Sequence, residues 1–203
     1  MHKYIAILLL CLSMMSFGTP SFADFQKGLD AYNNGDFATA LRELKPLAEQ
    51  GDAEAQLYLG SIYSQGDRPR MIWHHTSDPN EAAKWYKLSA EQGHAQAQYA
   101  LGVTYLLGRG VIKDYKEAVK WFKLSAEQGH AGAQSTLGTC YQYGTGVIQD
   151  NARAHMWYNI AASQGDEAGI ESRNTVVKDM TPADISKAQD MARECVANEY
   201  KGC

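Results

Sequence analysis

The feature that most constrains this chain is an internal repeat with a period of 36 residues. Three of the four tryptophans, Trp85, Trp121 and Trp157, follow one another at that interval. A closing tetrapeptide, Ala-Glu-Gln-Gly or Ala-Ser-Gln-Gly, recurs at 48–51, 90–93, 126–129 and 162–165. A chain with such a period folds as a stack in which each repeat packs only on its neighbours. The sequence therefore predicts a solenoid rather than a domain with one central core.

Each repeat predicts two helices, A and B. In the second full repeat, small and apolar residues recur at helical spacing over 95–107, which predicts helix A. Helix B is predicted over 115–128, with Asp114 as its N-cap and Glu117 completing a capping box. The first full repeat carries the same signal as Asp78-Pro79, with proline suited to the first helical position.

Glycines occupy two kinds of position in the repeat. The first kind follows helix B and is expected to adopt the left-handed conformation that ends helices, at Gly93, Gly129 and Gly165. The second kind lies inside helix A, where glycine lowers helix propensity by up to ~1 kcal/mol. We expect the second kind to allow close approach of helix B, at Gly60, Gly102 and Gly138. Glycines of the 108–110 and 144–146 segments are predicted to form inter-helix turns.

The two ends of the array differ from its middle. The N-terminal unit has a shorter turn, Glu43 in the place of tryptophan, and Pro46, which we expect to kink or shorten its helix. The C-terminal unit is more polar, and Thr181-Pro182 opens a last helix predicted to run to about Ala197. The predicted divisions are 24–51 for an N-terminal hairpin, 52–93, 94–129 and 130–165 for three repeats, and 166–203 for capping helices and tail.

The first 23 residues predict a cleaved signal peptide. Lys3 precedes an uncharged, mostly apolar run over 4–17, and Ser21-Phe22-Ala23 has the small residues that a signal peptidase requires. The run is shorter than the ~20 residues that span a bilayer as a helix. Cleavage near Ala23 would leave no integral membrane segment and predicts a periplasmic or secreted protein. Removal of Lys3 changes the formal net charge from −4 to −5, and an acidic chain is not expected to bind nucleic acid.

The repeat resembles the Sel-one-like family, a branch of the tetratricopeptide-type helical repeats. The resemblance rests on Ala-x-Ala-Gln-x-x-Leu-Gly-x-x-Tyr, then Gly-x-Gly-Val, then Ala-x-x-Trp, nearly throughout 95–129 and 131–165. It implies an all-α, right-handed α-solenoid of about five helix-turn-helix repeats, whose A helices line a concave groove. It further implies a non-enzymatic scaffold or adaptor of the bacterial envelope that binds a protein or peptide. The alternative, by analogy with cysteine-rich secreted members, is a protein that binds or hydrolyses peptidoglycan or a β-lactam.

Candidate groove residues are those that vary between repeats on helix A, with one loop residue beside them. They are Tyr58, Tyr99, Val103, Thr139 and Tyr143, with Trp73. Trp73 belongs to a segment, 65–77, that makes the first full repeat six residues longer than the others. Insertions of this kind map to loops, which often carry function. Trp73 is expected either to contact a partner or to pack back over the neighbouring helices.

No catalytic motif, cofactor motif or metal-ligand cluster is predicted. His94 and His130 follow the closing glycines and are interpreted as part of the repeat, and His155 in helix B is expected to be packed. The repeating tryptophans and tyrosines are interpreted as packing between helices. His74-His75 lacks a second cluster of ligands, which disfavours a metal site.

Three cysteines remain after the leader. Cys140 lies in helix A, where a buried free thiol is expected. Cys195 and Cys203 are eight residues apart near the C-terminus, and a disulfide between them would join the tail to the last helix. Pairing of Cys140 with Cys195 is the alternative.

Overall fold

The computed structural model describes residues 22–64 and 77–203. These residues form ten α-helices, and no strand occurs in either range. The helices are α1 (Phe22–Asn33), α2 (Phe37–Glu49), α3 (Ala53–Ser64), α4 (Pro79–Glu91), α5 (Ala95–Leu107), α6 (Tyr115–Ala126), α7 (Ala131–Tyr143), α8 (Asn151–Ser163), α9 (Glu167–Val176) and α10 (Pro182–Ala197), with a 3-10 turn at Val177–Asp179.

The helices pack in chain order, as a solenoid requires. Each helix from α2 to α8 packs on the one before it and the one after it, and α9 continues the series by packing on α8. Within the described ranges, the buried apolar residues accordingly divide into four clusters along the chain. The predicted all-α solenoid is confirmed, with α3, α5 and α7 as the A helices and α4, α6 and α8 as the B helices.

Helix boundaries follow the predicted signals closely. Helix α5 has the predicted bounds, and α10 runs from Pro182 to Ala197 with a complete capping box between Thr181 and Asp184. Asp114 caps α6 by accepting hydrogen bonds from the backbone N–H groups of Lys116 and Glu117. The predicted capping box is wrong at this helix, because the Glu117 carboxylate pairs with Lys120 on the exposed face.

The glycines inside the A helices allow the close approach that the sequence predicts. A Cβ added to Gly102 would lie 2.5 Å from the Phe122 ring and 3.1 Å from the backbone oxygen of Ala118, both on α6. Tyr86 and Tyr158 occupy the same place against the other two glycines, Gly60 and Gly138. An aromatic ring of helix B therefore fills the space of a missing side chain in each repeat.

A repeated glutamine pair joins the two helices of a repeat and contacts the repeat before it. Gln98 of α5 is buried, donates to the backbone oxygen of Ala90 in α4, and accepts from Gln128 at the end of α6. The same arrangement recurs for Gln56 with Gln92 and for Gln134 with Gln164. Buried amides are costly unless hydrogen-bonded, so these pairs fix the register between consecutive helices.

The N-terminal unit departs from the expected effect of its proline. Helix α2 continues through Pro46 to Glu49 and has 13 residues, as α4 has, so Pro46 does not shorten it. Pro46 lies in the last turn, and its own carbonyl still accepts from the backbone N–H of Gln50. Glu43, which replaces the tryptophan, forms ion pairs with Lys27 and Arg42 that lower the pKa of its carboxyl.

At the C-terminus, α9 and α10 both pack on α8 and do not form a hairpin with each other. Helix α10 buries Ala188, Ala192 and Cys195. Cys195 is joined to Cys203 by a disulfide, whereas Cys140 is buried and free. Four hairpins are therefore followed by two helices that both pack on the last B helix, within the 166–203 region for which the sequence predicts capping helices and tail.

The predicted signal peptide and the segment around Trp73 lie almost wholly outside the described residues. The signal-peptide prediction covers residues 1–23, of which the described chain includes only the backbone of 22 and 23. Within 22–64 and 77–203, no helix is long and apolar enough to cross a membrane.

Candidate functional site

A cleft of about 650 Å³ opens between the A helices α3 and α5. Most of its lining comes from these two helices, with further residues from α1, α4 and the turn after α5. The lining residues are Tyr32, Glu54, Leu57, Tyr58, Ser61, Ser64, Ser77, Pro79, Ala82, Tyr86, His94, Gln96, Tyr99, Ala100, Val103, Thr104 and Arg109. This volume falls in the range of about 300–1,000 Å³ that is typical of ligand sites.

The cleft exists because α4 packs on both α3 and α5 and holds them apart. Its base is formed by residues that are nearly inaccessible to solvent, among them Leu57 of α3 with Ala82 and Tyr86 of α4. The Tyr86 hydroxyl is hydrogen-bonded to Ser61 and Ser64 of α3, which fixes the floor against one wall. The rim carries half-buried tyrosines, Tyr58 and Tyr99, from opposite walls.

Tyr99 is held in place by the next repeat. Its ring stacks on the imidazole of His130, with ring centroids 4.9 Å apart and planes inclined by 27°. The Nδ1 atom of His130 accepts the backbone N–H of Ala133, so Nε2 carries the proton and donates to Oε1 of Gln96, 2.7 Å away. Burial lowers the pKa of His130, which favours this neutral form. Tyr99 is therefore positioned before any ligand arrives.

Tyr58 is held in place by the preceding repeat. Its ring makes an edge contact with Tyr32, with centroids 5.0 Å apart, and a tilted contact with Phe25 at 6.2 Å. Partial burial raises the pKa of its hydroxyl, and the charges of Glu54 and Tyr32 add smaller effects in the same direction. The hydroxyl is therefore neutral at physiological pH and can donate a hydrogen bond to a ligand.

The cleft brings together three of the six predicted groove residues, Tyr58, Tyr99 and Val103. Thr139 and Tyr143 belong to α7 and do not line it. The Thr139 hydroxyl accepts a hydrogen bond from Tyr158, and the Tyr143 side chain is 70% exposed. Trp73 is outside the described residues, although the segment that carries it begins after Ser64 and ends at Ser77, and both serines line the cleft.

Sequence reasoning missed the role of the histidines that follow the closing glycines. His94 and His130 are N-caps of α5 and α7 through Nδ1, and His94 also lines the cleft. A signal was present: the equivalent positions at the start of the first repeat and of the C-terminal region are Asp52 and Asp166, which cap α3 and α9. Aspartate and histidine side chains can both accept a hydrogen bond, so their occurrence at one repeat position indicates that this position accepts a backbone N–H.

The remaining nucleophilic and titratable groups are dispersed. Burial raises the pKa of the Cys140 thiol to about 11, so it stays protonated at physiological pH. Burial, together with the charge of Arg173, lowers the pKa of His155, which is packed as predicted. No group of three or more His, Cys, Asp or Glu that could hold a metal ion comes together in the described chain.

Comparisons with known proteins place this architecture in a defined family. The sequence profile of the Sel1 repeat matches residues 53–94, 95–130 and 131–166, which together make up more than half of the chain. The chain therefore belongs to the Sel1 repeat family, and this membership indicates a scaffold for protein–protein interaction. Each matched repeat begins one residue later than the division predicted from the sequence.

Two solved structures show the same fold. A Sel1 repeat protein from Oxalobacter formigenes is 36% identical, with a TM-score of 0.57, and the match covers 67% of this chain and 98% of that one. The protein c5321, described as a protective antigen of uropathogenic Escherichia coli strains with an SLR fold, is 26% identical, with a TM-score of 0.59. That match covers 88% of this chain but only 46% of the length of c5321. A search of curated proteins finds no match.

Proposed function

We propose that this chain is a non-enzymatic adaptor of the bacterial envelope that binds a polypeptide segment in the cleft between α3 and α5. The observation that carries the proposal is the cleft itself, about 650 Å³ with tyrosines positioned on both walls. Tyrosine offers a large apolar ring and one polar group at a small cost in side-chain entropy, which suits it to protein recognition. Fixing Tyr58 and Tyr99 through neighbouring repeats reduces the ordering cost of binding.

The envelope location is part of the proposal and rests on two features. The apolar run over 4–17 with small residues near Ala23 has the composition of a secretory leader. A disulfide between Cys195 and Cys203 is favoured in oxidising compartments such as the periplasm. Fractionation of cells expressing the full chain, with N-terminal sequencing of the product, tests this part, and a cytosolic product that keeps residue 1 would contradict it.

The binding site is tested with matched tyrosine variants. We expect Tyr99→Ala and Tyr58→Ala to weaken capture of a partner from envelope extract, whereas Tyr143→Ala should leave capture unchanged. Tyr143→Ala is a suitable control because this substitution removes the same type of side chain from an exposed position outside the cleft. Equal capture by all variants would exclude the cleft as the binding site. Trp73→Ala belongs in the same series, because Ser64 and Ser77, the described residues nearest to Trp73 in the chain on either side, line the cleft.

A further inference from the structure

Among its described residues, the cleft has one acidic and one basic side chain that form no ion pair. Glu54 of α3 and Arg109, in the turn after α5, are the only Asp, Glu, Lys or Arg residues among the described lining residues. Both are exposed, and neither forms an ion pair within the described parts of the chain. The other polar lining groups are largely engaged: Ser61, Ser64 and Thr104 donate to backbone oxygens of their own helices.

The two charges lie at opposite ends of the cleft. Ser89 of α4 donates to the backbone oxygen of Ala53, at the start of α3, while Tyr86 contacts Ser64 at its end, so α3 and α4 are antiparallel. Helices α4 and α5 are joined by a three-residue turn and are also antiparallel. Helices α3 and α5 therefore run in the same direction.

The spacing of the charges follows from this parallel arrangement. Glu54 is in the first turn of α3, and Arg109 is the second residue beyond the end of α5. Gln56 and Gln98 occupy equivalent positions in the two helices, so Glu54 is level with Gln96, 13 residues before Arg109. At about 1.5 Å per helical residue, the two ends of the cleft are roughly 20 Å apart.

From this geometry we infer that the cleft selects an extended peptide with a basic residue at one end and an acidic residue at the other. The inference rests on the proposed function and names the chemistry of the ligand. An extended chain rises by about 3.3 Å per residue, so roughly 20 Å corresponds to about five residues between the two charged ones. The basic residue pairs with Glu54 and the acidic residue with Arg109. Leu57, Val103 and the tyrosine rings contact the apolar residues between them.

The peptide backbone has its own partners in the cleft. The hydroxyls of Tyr58 and Tyr99 are on opposite walls, and neither is hydrogen-bonded to another described residue. An extended peptide has unpaired carbonyl and N–H groups that these hydroxyls can satisfy. Direction of the peptide along the cleft is set by the end charges, because the hydroxyls both donate and accept.

Four immobilised heptapeptide libraries test the inference. Their end residues are Lys and Glu, Glu and Lys, Lys and Lys, or Glu and Glu, and their five central positions are drawn from Ala, Val, Leu, Pro and Tyr. We expect the purified full-length protein to be retained by one or both mixed-end libraries at least fivefold more strongly than by the like-charged libraries. The preference should decrease as salt rises, because both protein charges are exposed.

Two charge-neutralising variants test which protein charge pairs with each end of the peptide. Glu54→Gln should remove the preference for a basic end, and Arg109→Gln the preference for an acidic end, each without loss of helicity. Glu167→Gln, in the first turn of α9, and Lys113→Gln, near Arg109 but outside the cleft, are the matched controls and should retain the wild-type preference.

The possible failures are distinguishable. Equal retention of all four libraries that is still lost in Tyr99→Ala would overturn the charge rule and leave the cleft as the binding site. Retention of none of the libraries by the wild-type protein would overturn both the charge rule and the proposed peptide-binding cleft. Retention that changes equally in the variants and in their controls would assign the preference to net charge and also overturn the inference.

Discussion

At the residue scale, one recurring position decides how the three A helices and α9 begin. Positions 52, 94, 130 and 166 hold Asp, His, His and Asp, and all four side chains accept a backbone N–H of the next turn. Capping of this kind satisfies donors that a helix leaves unpaired. Histidine differs from aspartate in that it can cap through Nδ1 only while that nitrogen is unprotonated.

This difference predicts a pH-dependent stability at His130. Burial lowers its pKa in the folded protein, so the unfolded chain takes up the proton first as pH falls below about 6.5. We expect the free energy of unfolding to fall from pH 7.5 to pH 5.5, with a smaller fall in His130→Asp, which keeps a cap without the imidazole. Urea titrations at several pH values measure how the free energy of unfolding depends on pH in the wild-type protein and in His130→Asp. Because His155 is present in both proteins, its contribution cancels when the two slopes are subtracted. Equal slopes would show that His130 is not the titrating group.

At the element scale, the helices of a repeat are matched by shape as well as by polarity. The absence of a side chain at Gly60, Gly102 or Gly138 is compensated by the ring of Tyr86, Phe122 or Tyr158. Phe122, the ring of the middle repeat, has no hydroxyl, whereas the Tyr158 hydroxyl donates to Gln142 and contacts Thr139 of α7. Shape complementarity is therefore common to the repeats, while the polar contact differs between them.

Gly102→Ala tests the close approach of α5 and α6. The new methyl group would overlap the fully buried Phe122 ring, so we expect a loss of about 1–3 kcal/mol in the free energy of unfolding. Chemical denaturation followed by circular dichroism measures the change.

Gly132→Ala is the matched control for this substitution. It lies in helix α7, where an added Cβ would meet the His130 ring edge at 3.3 Å and Tyr99 only at an ordinary contact distance of 3.9 Å, and alanine favours helix by up to ~1 kcal/mol over glycine. A destabilisation of Gly132→Ala as large as that of Gly102→Ala would refute the packing explanation.

At the scale of the whole molecule, the C-terminal region closes the stack. Helix α10 and the tail cover the third repeat, where Ile160 is fully buried, although the equivalent Leu88 and Leu124 of the earlier B helices remain 38% exposed. The tail turns back through Glu199 and Tyr200, both with positive φ, and the Tyr200 ring lies beside Gly129 at the end of α6. A residue of the tail thus contacts the second repeat.

Loss of the disulfide is expected to release this tail. Cys203→Ser should lower the free energy of unfolding by about 2–3 kcal/mol in the loop-entropy model and increase amide exchange over 196–203. Reductant should reproduce the effect in the wild-type protein and in Cys140→Ala, the matched control, but not in Cys203→Ser. If reductant leaves the stability of the wild-type protein unchanged, the disulfide does not fix the tail.

The local structure of this protein follows from its sequence because each repeat is built from contacts close in the chain. The helix period predicts α5 with its observed bounds, and the Thr181-Pro182 start signal predicts where α10 begins. The aspartate N-caps of α4 and α6 and the left-handed glycines after the B helices are likewise found at the predicted positions. The period also predicts which residues pack, including Trp85 and Trp157 in the core.

Only the tertiary structure decided what the repeats form together. Variation between repeats selected five candidate groove residues on the A helices, but of these only Tyr58, Tyr99 and Val103 line the cleft, because the spacing of α3 and α5 on α4 is set by packing. The register fixed by the glutamine pairs and the placement of α10 on α8 likewise depend on neighbours far away in sequence. A repeat pattern specifies each contact within a unit, whereas a site between units depends on the angle and distance at which they stack.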